Sequence, residues 1–337
     1  MSWISDLGAY FLSSNTKNPL IRAPAASTNK PPKCKYRLDN DSSNTVALPD
    51  GRILGYAQYG SQTGQPILYL HGLPGSRVEA ASLHDIGLEL GVRIIATDRP
   101  GYGWSSPHPG RTLLDFPKDL EHLAKHLELD TYSVLGVSGG GPYALASAAA
   151  LPREKLKCVS IVCGIGPTDI GMSGANWVNW IGFTFGWRYS FVAAIRWFFR
   201  LEPAARLELT DEERFELHMQ RMSRLTNEKD LEVLNDADFA QLFLRTARES
   251  YRQGFDAVTD DGRLICLDYG FRIEDIRSDL PVHLWYGKQD AHVPLNHGQQ
   301  IAARLGDRAQ LRVEDDTHAS IWLKWKEEVL KDMIKST

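Results

Sequence analysis

Residues 132–146 read Tyr-Ser-Val-Leu-Gly-Val-Ser-Gly-Gly-Gly-Pro-Tyr-Ala-Leu-Ala. A β-branched and apolar run leads into Gly136-Val137-Ser138-Gly139-Gly140, and small residues suited to a helix follow from Tyr143 to Leu151. Strand, sharp turn and helix in that order put Ser138 at the turn, with glycines two residues before and after it. So tight a turn crowds its central residue, and the flanking backbone must approach without the bulk of a Cβ. The hydroxyl is lifted above the sheet edge at a helix N-terminus, where N–H groups and the dipole favour developing negative charge. That is the setting of a nucleophile. The bland alternative is a glycine-rich connection in an ordinary α/β sheet. A phosphate-binding loop fits less well, since neither GxGxxG nor GxxxxGK[ST] occurs.

A serine hydroxyl is a poor nucleophile without a base, and a histidine base needs an acid to fix its tautomer and stabilise its cation. Two later fragments offer these partners in the order Ser, Asp, His. Lys288-Gln289-Asp290-Ala291-His292-Val293-Pro294 follows an apolar run ending at Tyr286, so Asp290 falls at the carboxyl end of a strand, where ligand chemistry collects in open parallel sheets. Glu314-Asp315-Asp316-Thr317-His318-Ala319-Ser320 follows the last strand and precedes the last helix.

The elements that must position these residues alternate between strand and helix. Asn44–Leu48 and Arg52–Tyr59 read as strands joined by the hairpin signature Pro49-Asp50-Gly51. Further strands are expected at 66–72, 93–98, 132–137, 156–163, 281–287 and 309–313, with helices over about 78–90, 113–127, 143–151 and 321–335. This rhythm predicts a mainly parallel sheet covered on both faces. It breaks between about 165 and 275, where the chain is helical in character and dense in aromatics, among them Trp177, Trp180, Phe183, Trp187 and Trp197. Arg188, Arg196 and Arg200 interrupt that stretch, so it is not expected to span a membrane.

The predicted organisation is therefore an α/β core over 41–164 and 276–337, a helical cap over 165–275, and an N-terminal helix and linker over 1–40. Within the last, residues 2–12 fit a short amphipathic helix with Trp3, Ile4, Leu7 and Phe11 on one face, packed on its own domain or on a second subunit in preference to lying on a membrane surface. Residues 13–35, rich in Ser, Asn, Pro and Lys, suggest a loose connection.

Bulk properties narrow the function classes. The 337 residues are 43% hydrophobic and 24% charged, as in an ordinary globular protein. A net charge of −4 without a basic stripe argues against a nucleic-acid partner. Cys34, Cys158, Cys163 and Cys266 show neither CxxC nor zinc-like spacing, so they read as small buried hydrophobes and no metal is expected on them. With no secretory signal pattern at the N-terminus, a reducing, cytoplasmic compartment is expected.

The sequence resembles the α/β-hydrolase superfamily, and most of all its capped branch. Its carriers are His71-Gly72-Leu73-Pro74-Gly75-Ser76, Asp98-Arg99-Pro100-Gly101-Tyr102-Gly103-Trp104-Ser105, Gly136 to Leu145, Gly287 to Pro294, and His318. The resemblance covers about residues 45–335. It implies Ser138 as nucleophile, His318 as general base and then acid, and Asp290 as orienting acid. It also implies an oxyanion hole from the backbone N–H groups of Leu73 and Gly139. His71 would hold the oxyanion loop, and Asp98, Arg99 and Trp104 would fix the loop that follows the next strand. Asp169 is the alternative acid, while His292 and His297 lie near the acid but out of position for the base.

These residues imply cleavage of an ester or lactone through an acyl-enzyme, with no cofactor. Serine at the turn argues against epoxide hydrolase and dehalogenase relatives, which use aspartate there. Amide, thioester and C–C bond cleavage stay open. The aromatics of the cap suggest a bulky hydrophobic substrate, with Trp177, Trp180, Phe183 and Trp187 as candidate contacts and a role in secondary metabolism by analogy alone. A lyase, cyclase or acyltransferase, or a ligand-binding receptor on the same fold, are the rival readings, and a homodimer is compatible with all of them.

Overall fold

Five runs carry apolar residues on both faces, the pattern of strands covered from either side. They form β3 (Gln65–Leu70), β4 (Val92–Thr97), β5 (Tyr132–Val137), β6 (Leu156–Val162) and β7 (Val282–Gly287). With β1 (Ser43–Ala47), β2 (Ile53–Gly60) and β8 (Ala309–Glu314) they make one eight-stranded sheet of order β1-β2-β4-β3-β5-β6-β7-β8. β2 is antiparallel to both β1 and β4, and β3 through β8 run parallel to one another. The expected hairpin is there: Leu48 N–H donates to the Arg52 carbonyl at 2.8 Å across Asp50-Gly51, and Ala47 pairs with Ile53. The computed structural model describes residues 33–190, 192–225 and 227–337. The helix expected over 2–12 lies outside them.

Helices α1 (His84–Glu89), α2 (Phe116–His126), α3 (Gly141–Ala150), α10 (Asn296–Leu305) and α11 (His318–Lys335) cover the sheet. Between β6 and β7 the chain is helical, as expected: α4 (Trp177–Ile181), α5 (Val192–Arg200), α6 (Asp211–Met222), α7 (Glu228–Leu234), α8 (Ala237–Ser250) and α9 (Asp256–Ile265). No helix of the described residues is long and apolar enough to cross a membrane.

Two local expectations are corrected by packing. The helix expected over 78–90 is a 3₁₀ segment, Arg77–Leu83, followed by the short α1. The last helix starts at His318 rather than 321, because Thr317 caps it: the Thr317 hydroxyl accepts from the Ser320 N–H at 3.2 Å. The loose connection expected over 13–35 lies outside the described residues except for 33–35, and from Cys34 to Asn40 the chain is held to the rest of the molecule. Lys35 N–H donates to Asp238 at 3.0 Å, Asn40 accepts from Arg77 and Arg245, and Tyr36 and Leu38 pack on the core.

The insertion is bound to the core by buried charge. The Asp261 carboxylate, on α9, accepts from Arg99 Nε at 2.6 Å, Arg111 Nη2 at 2.5 Å and Tyr143 Oη at 2.6 Å. Burial opposes ionisation of Asp261, and the two guanidinium groups outweigh it, holding its pKa at about 2. On α8, Glu249 shares the fully buried Arg77 with Asp98, at 2.8 Å each. A buried charge that loses its partner is expensive. Asp261→Ala, which leaves Arg99 and Arg111 facing an apolar gap, is expected to lower stability by about 3–5 kcal/mol in urea unfolding. A loss below about 1 kcal/mol would show that the arginines find other partners.

Candidate active site

β5 delivers Ser138 into a 3₁₀ turn, Ser138–Gly140, that runs directly into α3. Ser138 has φ +52°, a left-handed conformation that costs a side-chain-bearing residue about 1–2 kcal/mol. The turn closes because its neighbours have no side chains. A Cβ on Gly136 would come within 2.6 Å of the Gly140 carbonyl, and one on Gly141 within 2.7 Å of Gly164 Cα.

At the carboxyl end of the same sheet, β7 and β8 present the other two residues. Ser138 Oγ lies 2.9 Å from His318 Nε2, and His318 Nδ1 lies 2.7 Å from Asp290 Oδ2. Asp290 is buried, and its second oxygen accepts the N–H groups of His292 and Val293 at 2.8 Å. The carboxylate is thereby fixed with one oxygen free for the imidazole. Burial alone would push the His318 pKa down, but the Asp290 carboxylate outweighs it and holds the pKa well above the ordinary histidine value. Thr317, next to His318, donates to Asp230 on α7 at 2.6 Å, so the insertion also steadies the histidine loop.

Leu73 follows β3 and faces the turn. Its backbone N lies 3.0 Å from the place a Gly139 Cβ would take, so the two backbones meet without an intervening side chain. Neither the Leu73 nor the Gly139 N–H has a hydrogen-bond acceptor among the described residues. The peptide that carries the Leu73 N–H is held from behind: the Gly72 carbonyl accepts from Arg99 Nη2 at 2.7 Å and from His71 Nδ1 at 2.9 Å. His71 Nε2 accepts the Arg99 N–H at 3.3 Å, so the ring carries its proton on Nδ1. Burial, then Arg99, keeps its pKa well below the usual range and the ring neutral. Asp98 accepts from Arg77 and from the Trp104 N–H at 2.9 Å.

The remaining candidates fall elsewhere. Asp169 pairs with Arg304 at 2.6 Å near the surface, away from His318. His297 accepts the Gly166 N–H at 3.0 Å. His292 packs on His318, ring centroids 5.2 Å apart, and Asn179 of α4 holds its Nδ1 at 2.9 Å. Burial, then His318, lowers its pKa to about 4, so it stays neutral.

The four aromatics do not share one cavity. Phe183 lines a cavity of about 120 Å³ with Ile165, Met172, Ile265, Arg188 and His297. Trp187 covers Gly262 and packs on Phe199 at 5.6 Å. Trp177 and Trp180 on α4 are 37% and 44% exposed. A π-helical turn, Gly182–Gly186, separates them from Trp187 and rotates the residues after it onto another face, which residue spacing alone does not reveal.

Asp261 and Glu79 were not singled out in the sequence. Glu79 sits behind the Leu73 loop, accepting from Tyr69 Oη at 2.5 Å and from the Gly72 N–H at 3.3 Å, and burial raises its pKa. An acidic residue three positions after Ser76, inside a run otherwise suited to burial, was the available signal.

Comparison with known proteins agrees with this architecture. Residues 65–324 match the model of the α/β hydrolase fold family. A stretch of 116 residues is 32% identical to a proline iminopeptidase of Arabidopsis thaliana, covering 34% of this chain and 30% of that protein. Another, of 119 residues, is 33% identical to a non-heme chloroperoxidase of Streptomyces lividans, covering 35% and 43%. The chain thus matches less than half the length of these relatives. Among solved structures, an α/β hydrolase fold protein from Chitinophaga pinensis superposes with a TM-score of 0.61 at 17% identity, over 88% of this chain and 98% of that one. An enol-lactonase from Burkholderia xenovorans LB400 does so at 0.56 and 17%, over 87% and 98%. Such identities speak for the fold alone. With the family model matched across the core and the insertion, the chain belongs to the α/β hydrolase fold family.

Proposed function

We propose that the protein is a serine hydrolase that cleaves an ester or lactone of a hydrophobic small molecule through an acyl-enzyme on Ser138. The observation that carries this reading is the unbroken relay of Ser138 Oγ, His318 and Asp290, at 2.9 and 2.7 Å. Ser138 Oγ attacks the carbonyl carbon as His318 Nε2 takes its proton. The Leu73 and Gly139 N–H groups receive the oxyanion, a contribution of about 3–4 kcal/mol for a single donor. Arg99, on the far side of the Gly72–Leu73 peptide, both fixes and polarises the first of them. His318 then gives its proton to the leaving alkoxide. Water, deprotonated by the same nitrogen, releases the acid and restores the serine.

The Phe183 cavity is apolar on Ile165, Met172 and Ile265, and Ile165 is tied to the serine turn by its N–H, which donates to the Ser138 carbonyl at 3.3 Å. It suits a small apolar group of the substrate. The iminopeptidase relatives make a prolyl anilide a necessary control, and the enol-lactonase neighbour makes a lactone a suitable probe.

Two outcomes are expected. In water enriched in oxygen-18, hydrolysis of an aryl ester or lactone by the wild type puts one solvent oxygen into the acid. Ser138→Ala lowers kcat by at least about 10³-fold with the fold intact. Turnover without solvent oxygen would favour a lyase or acyltransferase, and turnover of the prolyl anilide alone would replace ester by amide.

A third outcome concerns pH. His318 must be neutral to accept the proton, and its pKa is raised, so kcat/KM is expected to fall as pH drops through a value above the ordinary histidine range. Asp290→Asn removes the charge that raises it. The acid limb should move to lower pH while kcat falls on the order of 10⁴-fold. A limb that stays in place would assign it to another group.

A further inference from the structure

Cys163 directly follows β6 and has φ +42°, a left-handed conformation that a side-chain-bearing residue holds only where its surroundings impose it. Its N–H donates to the Trp285 carbonyl at 2.8 Å, which fixes the residue between β5 and β7. The buried thiol points at the catalytic histidine. Sγ lies 3.9 Å from His318 Nε2, the nitrogen that Ser138 Oγ also reaches, at 2.9 Å. The reaction described above leaves this thiol idle.

Cys163, Asp290 and His318 each present one ligand atom, all within 4.8 Å of one another. Three features of the group suit a metal ion. Asp290 holds Nδ1 of His318 and turns the Nε2 lone pair outward, the carboxylate–histidine arrangement found behind many metal sites. A tetrahedral ion with bonds of about 2.3 Å to sulfur and 2.0–2.1 Å to nitrogen would separate those atoms by about 3.6 Å, close to the spacing present here. Ser138 Oγ stands on the same nitrogen and can supply a third, oxygen donor, with water as the fourth ligand. A thiol and an imidazole select soft or borderline ions over Mg²⁺ and Ca²⁺.

We propose that Cys163 Sγ and His318 Nε2 form an inhibitory site for a soft divalent metal ion such as Zn²⁺ or Cd²⁺. Binding forms one metal–sulfur and one metal–nitrogen bond, breaks the Cys163 S–H bond and releases its proton to solvent, with no change of oxidation state. The ion occupies the lone pair that would take the Ser138 proton, so the serine is left unactivated. Only this inhibitory consequence rests on the proposed hydrolase reading, because the site itself needs no turnover. No sequence spacing could announce it, since the two ligands lie 155 residues apart.

Two measurements on the full-length chain test the proposal. The first is Cd²⁺ titration followed by the ultraviolet absorption of the cadmium–thiolate bond, on wild type, Ser138→Ala, Cys163→Ser and Cys163→Ala. The band is expected in wild type and in Ser138→Ala, and its Cys163 component is lost in both cysteine variants. The second is inhibition of ester hydrolysis by Zn²⁺ and its reversal by EDTA. Cys163→Ser is expected to keep its basal activity and to need about tenfold or more Zn²⁺ for the same inhibition. A cadmium band unchanged by loss of Cys163, or equal Zn²⁺ sensitivity in the variant, would overturn the proposal. Should wild type hydrolyse nothing, the cadmium band on Ser138→Ala still decides the site, so its failure is separable from that of the hydrolase reading. If the serine variant folds poorly, Cys163→Ala, which removes volume without adding a polar group, gives the same comparison.

Discussion

The left-handed backbone of Ser138 is the constraint around which the rest of the molecule is fitted. It exists because β5 turns into α3 over three residues, and the turn closes only if Gly136, Gly140 and Gly141 leave room for neighbouring backbone. The parallel sheet supplies what the turn requires. Its central strands end level with one another, so the loops after β3, β7 and β8 bring Leu73, Asp290 and His318 to the same edge as the serine.

Charge buried beneath this edge gives it a fixed shape. Arg99 holds the Gly72–Leu73 peptide and is itself held by Asp261, on a helix of the insertion. Arg77 joins Asp98 to Glu249 in the same manner. The insertion thus reaches through the core to the backbone of the Gly72–Leu73 loop, and through Asp230 to the loop of His318. A pure lid would need no such contacts. Their geometry ties the helices of the insertion to the sheet edge that carries Ser138 by groups that cannot separate without exposing unpaired charge to an apolar interior.

Much of this was legible in the sequence, for identifiable reasons. The apolar runs of β3 to β7 encode a doubly covered sheet because nearly every position along them is buried, and Ser138, Asp290 and His318 each come soon after a strand. The hidden part depends on contacts between distant segments. Asp261 pairs with Arg99 across 162 residues, and nothing local marks it as buried. Cys163 looks like core because it is core, yet its thiol still faces His318. The aromatics of the insertion show a third limit. Helical spacing assumes one uniform period, and the π turn at Gly182–Gly186 breaks it between Trp180 and Trp187. Trp177 and Trp180 stand half-exposed while Phe183 faces the cavity.

The central claim is that Ser138 is chemically activated by its surroundings. Fluorophosphonate labelling read by intact mass tests it most directly, because the probe reacts with an activated serine whatever the natural substrate is. One adduct is expected on the wild type, mapped to Ser138, and none on Ser138→Ala or His318→Ala. An unlabelled but folded wild type, or an adduct that persists in His318→Ala, would contradict it.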